Sequence, residues 1–192
     1  MNKRQMQKEK RREEILLAAL DLFFQRGYSD TKISDIAQAA NMSVGLLFHY
    51  FDSKEKLYEE LIKLGLNGSQ SVMPTQDSDP VDYLECTVNR LFTAIKSNPQ
   101  VAKMFALMSH AQYNDSSPEG VKELISGSDI ISPTIALLEK GQQDGTVRAG
   151  NPHALAIAFW MSIQGIAEEL AKHPDAPCPD GEWIVDIVRR KR

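Results

Sequence analysis

Apolar residues recur three and four positions apart along nearly the whole chain, the period of a helix with one buried face. No two runs read as paired strands, and there are no repeats or low-complexity tracts. The chain is therefore expected to be all-α. At 192 residues it can bury a core without disulfide or metal staples.

The helices fall into two groups. In the first, Ile15, Leu16, Ala19, Leu22 and Phe23 mark one face of a helix that Gly27 ends. A short helix follows over 32–40, with Thr31 at the N-cap position and Ile36 and Ala37 inward. Asn41 suits a left-handed turn. Ser43 then caps a third short helix through Phe51, and Ser53 opens a fourth that fades at Gly65 and Gly68. The stretch 67–79, NGSQSVMPTQDSD, is loop by composition. Beyond it the helices lengthen: 80–97, one beginning at Pro99, 132–144, 152–172 and 182–192. Ser132-Pro133 and Asn151-Pro152 each place a capping residue before a proline, the preferred order at a helix start.

Charge is uneven. Residues 1–12 carry six basic residues against Glu9, whereas 13–63 carry five basic and nine acidic ones and 64–192 carry 11 and 16. A basic arm on an acidic chain points to a polyanion at one end, or to a solvated tail. The longest apolar run, Ala154 to Met161, is 8 residues, against about 20 for a membrane span, so no membrane helix is expected. The first twelve residues lack the apolar segment of a secretory signal. Cys86 and Cys178 suggest no disulfide framework, which fits a reducing cytoplasm. His49, His110, His153 and His173 are scattered, and no nucleophile motif or phosphate-cradling glycine loop is present. No metal, cofactor or catalytic role is expected.

The three short helices with tight turns form a helix-turn-helix pattern, in which a short helix enters the major groove and its capping groups meet phosphate. Ala37 is small enough for close crossing, and Val44 and Leu47 can seal the junction. Gly27-Tyr28, Thr31, Asp35-Ile36-Ala37, Ser43 through Phe51, and Ser53-Lys54-Glu55-Lys56-Leu57 together resemble the TetR/AcrR family of transcriptional regulators, closely over about residues 13–62. Beyond that the likeness is architectural, with a weak echo from Gly141-Gln142 to Arg148. The resemblance implies a homodimeric bacterial repressor: a basic arm (1–12), a DNA-binding domain (13–64), and a helical ligand-binding and dimerisation domain (65–192). It implies DNA-facing roles for Thr31, Lys32, Ser34, Ser43, Gly45, His49, Tyr50 and, at the family's phosphate-contacting position, Lys54. Three residues depart from the family pattern. Val44 and Leu46 are aliphatic where basic, polar or hydroxyl side chains are usual, and Phe48 replaces a tyrosine. Leu46 could touch a thymine methyl or fill core.

In the second half, Met104, Phe105, Met108 and Tyr113 form a soft apolar stripe, and Trp160 and Gln164 share a face of the long apolar helix. These suit core packing or a ligand pocket. Ala154, Ala158, Ser162 and Gly165 form a small-residue stripe that would let another helix approach, as a dimer seam would, with Trp183, Ile184 and Ile187 of the last helix as the alternative seam. The resulting expectation is a DNA-binding regulator that grips a palindromic double-stranded operator as a homodimer and releases it on binding a small-molecule effector. A regulator of the same fold governed by a partner protein or by nothing, and a helical scaffold or enzyme, are the alternatives.

Overall fold

The structure, a computed structural model, describes residues 2–72, 79–114 and 116–191, without the side chains of 69–72. Among them lie ten helices: α1 (Lys3–Asp30), α2 (Ile33–Ala39), α3 (Val44–Phe48), α4 (Lys54–Val72), α5 (Pro80–Ser97), α6 (Pro99–Tyr113), α7 (Glu119–Ser126), α8 (Ile131–Gln143), α9 (Pro152–Lys172) and α10 (Gly181–Val185). The all-α expectation holds. The chain divides into two compact units, one of residues 1–66 with 107–126, the other of 67–106 with 127–192. The first unit thus takes in 107–126, which sequence reasoning assigns to the regulatory part.

In the first unit, Ile15, Ala19, Phe23, Ile36, Leu47, Leu57 and Ile62 are almost wholly buried. Local signals act where the sequence puts them. Gly27 breaks α1 at φ 77°, a left-handed conformation costly for a residue with a Cβ. Asn41 turns at φ 53°. The Ser43 hydroxyl oxygen accepts from Leu46 N at 3.2 Å and caps α3. Three boundaries and one helix differ from expectation. α1 begins at Lys3, so the basic arm is helical and not a loose tail. α3 ends at Phe48 and α4 runs past Gly65 and Gly68 to Val72. α7 is an unanticipated helix, anchored by Val121 and Ile125. Its Gly120 lies against the buried Glu59, where an added Cβ would come within 2.7 Å of Oε1. Lys56 Nζ, 2.9 Å away, neutralises that carboxylate.

In the second unit α8 packs along α9, and α5 packs on α8, α9 and α10. α9 starts where Asn151 accepts from Ala154 N with Pro152 in the first turn, as the sequence indicates. α8 begins differently. Its first amides, of Ile131 and Ser132, are met by the Asp129 carboxylate, and Ser132 lies inside the helix. The α8–α9 loop is held by Gln142, whose Nε2 donates to Arg148 O and Gly150 O at 2.9 and 3.0 Å. Gly141 lies under Val147, with no room for a Cβ. The final segment is shorter in helix than expected because it pairs with this loop. Arg148 N donates to Val188 O, and Arg190 N to Thr146 O, each at 2.9 Å. Arg189 adds ion pairs to Glu85 (2.6 Å) and Glu182 (3.2 Å).

Although its longest apolar run is short, α9 as a whole is long and apolar enough to cross a membrane by length and composition. Its Ala156, Phe159, Trp160, Ile163 and Ala167 are buried against neighbouring helices, the environment of a core helix.

Candidate nucleic-acid interface

α2, the turn at Asn41 and α3 make the helix-turn-helix corner. Met42 N donates to Ala37 O at 2.9 Å and Asn41 N to Gln38 O at 3.0 Å, closing the turn. Ile36, Ala37 and Leu47 seal the corner, and Val44 is half-buried beside them. What remains outward on α3 is Gly45, where a Cβ would meet nothing within 4 Å, Leu46, 44% exposed, and Phe48, 45% exposed. His49 is exposed and Tyr50 half-exposed just beyond the helix. Lys32 and Ser34 are exposed at the start of α2, the Ser34 hydroxyl donating to Asp35. Asp35 also holds Arg26 at 3.1 Å.

Beside α3 runs the basic start of α1. An open groove of about 1080 Å³ lies between them, lined by Arg4, Lys8, Lys10 and Arg11 on one side and Leu46, His49 and Tyr50 on the other. Arg12 fastens this segment to the unit: its guanidinium lies 5.0 Å over the Phe51 ring and reaches Glu60 at 3.1 Å. Arg11 is paired with Glu14 at 2.7 Å. Lys3, Arg4, Lys8 and Lys10 have no acidic partner among the described residues. Helical order on the arm was not legible in sequence, because a helix exposed all round has no apolar period.

Two residues expected to meet phosphate are used otherwise. Thr31 is wholly buried, and its hydroxyl hydrogen-bonds the Gly27 and Leu22 carbonyls at 2.7 and 3.2 Å. It neither caps α2, whose N-cap is Lys32, nor reaches the surface. Lys54 Nζ donates to Tyr28 O (2.7 Å) and Thr31 O (2.9 Å) and lies 4.1 Å over the Tyr28 ring. The end of α1 leaves carbonyls without helical partners, and an ammonium from α4 supplies one. Burial pushes the Lys54 pKa down, with the Asp30 charge opposing. Next to it, burial raises the Tyr58 phenol to about 12, with the Tyr28 phenol adding to the shift.

Met104 and Phe105 are half-buried in the second unit, whereas Met108, half-buried, and Tyr113, 64% exposed, belong to the first. Trp160 is core: its indole N–H donates to Thr134 Oγ1 at 2.9 Å, leaving no donor for a ligand. Gln164 Nε2 donates to Glu168 at 3.1 Å. On α9, Ala154, Ala158 and Gly165 are exposed, and Ser162, half-buried, donates back to Ala158 O. Ile157 and Met161 widen the same exposed face. On and after α10, Trp183 is exposed, Ile187 half-buried and Ile184 buried.

Residues 15–61 match the model of a family described as bacterial regulatory proteins, tetR family. The chain is 40% identical over 163 residues to the HTH-type transcriptional repressor KstR2 of Mycolicibacterium smegmatis, covering 80% of this chain and 78% of that protein. It is 28% identical over 188 residues to KstR2 of Rhodococcus jostii, covering 96% and 88%. In fold it is similar to AibR, solved with isovaleryl coenzyme A and operator DNA, with TM-score 0.62, 21% identity, and 92% and 94% of the two chains covered.

Proposed function

This chain belongs to the TetR family of bacterial transcriptional regulators, and on that premise we propose that it represses by gripping a palindromic operator as a homodimer and lets go when a small molecule binds. It is a DNA-binding regulator and not an enzyme. The observation that carries the DNA reading is the exposed face of α3 set across a groove from four basic residues of α1. A surface of that kind offers α3 to a major groove and positive charge to the flanking backbone. The proposed contact set is Lys32, Ser34, Ser43, Val44, Gly45, Leu46, Phe48, His49 and Tyr50, joined by Arg4, Lys8 and Lys10.

The exposed stripe Ala154, Ile157, Ala158, Met161 and Gly165 supports a dimer seam on α9, because an apolar helix face in water is stabilised by a partner. Binding of a small molecule is supported by AibR, a protein of similar fold solved in complex with isovaleryl coenzyme A and operator DNA. The cytoplasm, where the chromosome lies, is the proposed place of action. Selection of duplexes from a random pool by the full chain tests the reading. An inverted repeat should emerge, and candidate acyl thioesters should lower affinity for it in an anisotropy titration. A pool with no enriched duplex refutes it.

A further inference from the structure

α3 contains no side chain able to donate or accept a hydrogen bond: it reads Val44, Gly45, Leu46, Leu47, Phe48. Its two exposed large side chains, Leu46 and Phe48, are apolar. Base edges in the major groove are distinguished by donors, acceptors and one apolar group, the C5 methyl of thymine. A helix without polar side chains can recognise only the last. The Leu46 side chain is not core, and its placement does not depend on DNA: Ser43 caps the Leu46 amide, and Leu47, wholly buried, fixes the helix's rotation. The occupant of this apolar face is set by charge. Leu46 opens on the same groove as Arg4, Lys8 and Lys10, which suits a polyanion.

We propose that the recognition helix reads its operator through thymine methyl groups, with Leu46 as the principal specificity-determining residue and no base-edge hydrogen bond from α3. The inference rests on the DNA-binding function above. Each half-site then holds at least one thymine whose methyl is buried under Leu46. Hydrogen bonds to bases, where present, come from outside α3, as from His49.

The test begins with the duplex selected by the full-length chain, in which thymines are replaced one at a time by deoxyuracil. That change removes the methyl and keeps every hydrogen-bonding group. One thymine per half-site should cost about fourfold in affinity, the factor that one buried methyl-sized group is worth, and both together roughly fifteenfold. The pair replaced by C·G should bind poorly, and its 5-methylcytosine form should recover part of the loss. In Leu46→Ala the deoxyuracil penalty should vanish. A selected duplex at which no deoxyuracil substitution costs affinity overturns the inference and leaves the DNA-binding reading intact. So does a penalty unchanged in Leu46→Ala. A pool with no enriched duplex overturns both. The scan on the wild-type chain alone decides the matter if Leu46→Ala folds poorly.

Discussion

Replacing Lys54 by methionine keeps the aliphatic stem and removes the ammonium. Two hydrogen bonds from a charged donor, to Tyr28 O and Thr31 O, disappear together with the contact over the Tyr28 ring. A hydrogen bond to a charged group is worth about 1.5–3 kcal/mol, and a partly exposed cation–π contact about 0.5–1 kcal/mol. The ammonium also gives up hydration to sit there, as its lowered pKa indicates, and the site is partly open to solvent. A net loss of about 2 kcal/mol follows. For a chain of this size each kcal/mol moves Tm by about 2–4 °C, so Lys54→Met should melt roughly 4–8 °C lower by circular dichroism. The same variant separates this role from a phosphate contact. A lost phosphate contact lowers the slope of log K against log salt by about 0.9, whereas a lost internal clamp leaves the slope alone. An unchanged Tm with a reduced slope would show that the ammonium leaves the two carbonyls for DNA, and the clamp would be refuted.

Lys8 and Lys10 lie on the proposed DNA side without acidic partners among the described residues, so Lys8→Gln with Lys10→Gln should reduce the salt slope by about 1.8 per protomer at unchanged Tm. A slope equal to wild type in a salt titration would remove the arm from the interface. Ala158→Glu should give a helical monomer in sedimentation with much weakened operator binding, since a charge would enter the proposed seam; a dimer of normal affinity would move the seam elsewhere. The Tyr58 phenol, about 12 in the folded chain, stays protonated between pH 10 and about 12 while the unfolded chain ionises. Its contribution to stability is therefore complete below pH 10 and lost as pH climbs through that window, and Tyr58→Phe should flatten the alkaline fall in denaturation midpoint. An equally steep fall in the variant would assign it to other groups.

What was legible in the sequence was what short-range chemistry decides. Gly27, Asn41, Ser43 and the Asn151-Pro152 pair act on backbone within a few residues, and each marks the expected boundary. α7 escaped because eight residues hold only two buried positions, too few for a period to show. The helical arm escaped because nothing along it is buried before Ile15. α10 is shorter than its sequence suggests because the end of the chain finds its hydrogen bonds in the 146–148 loop, some forty residues earlier.

At the site, folding matches Thr31, Lys54 and Trp160 each to a partner within the chain, between four and 26 positions away. A buried donor without an acceptor is costly, so the polar residues nearest a core are the ones a fold tends to pair internally. An exposed leucine has no such alternative. Where a surface helix carries Leu46 and Phe48 outward and charge stands across the groove, the apolar residues point to the partner more directly than the polar ones do. For this chain the operator contacts are to be sought first at Leu46 and along Arg4, Lys8 and Lys10, with Lys54 and Thr31 holding the frame that presents them.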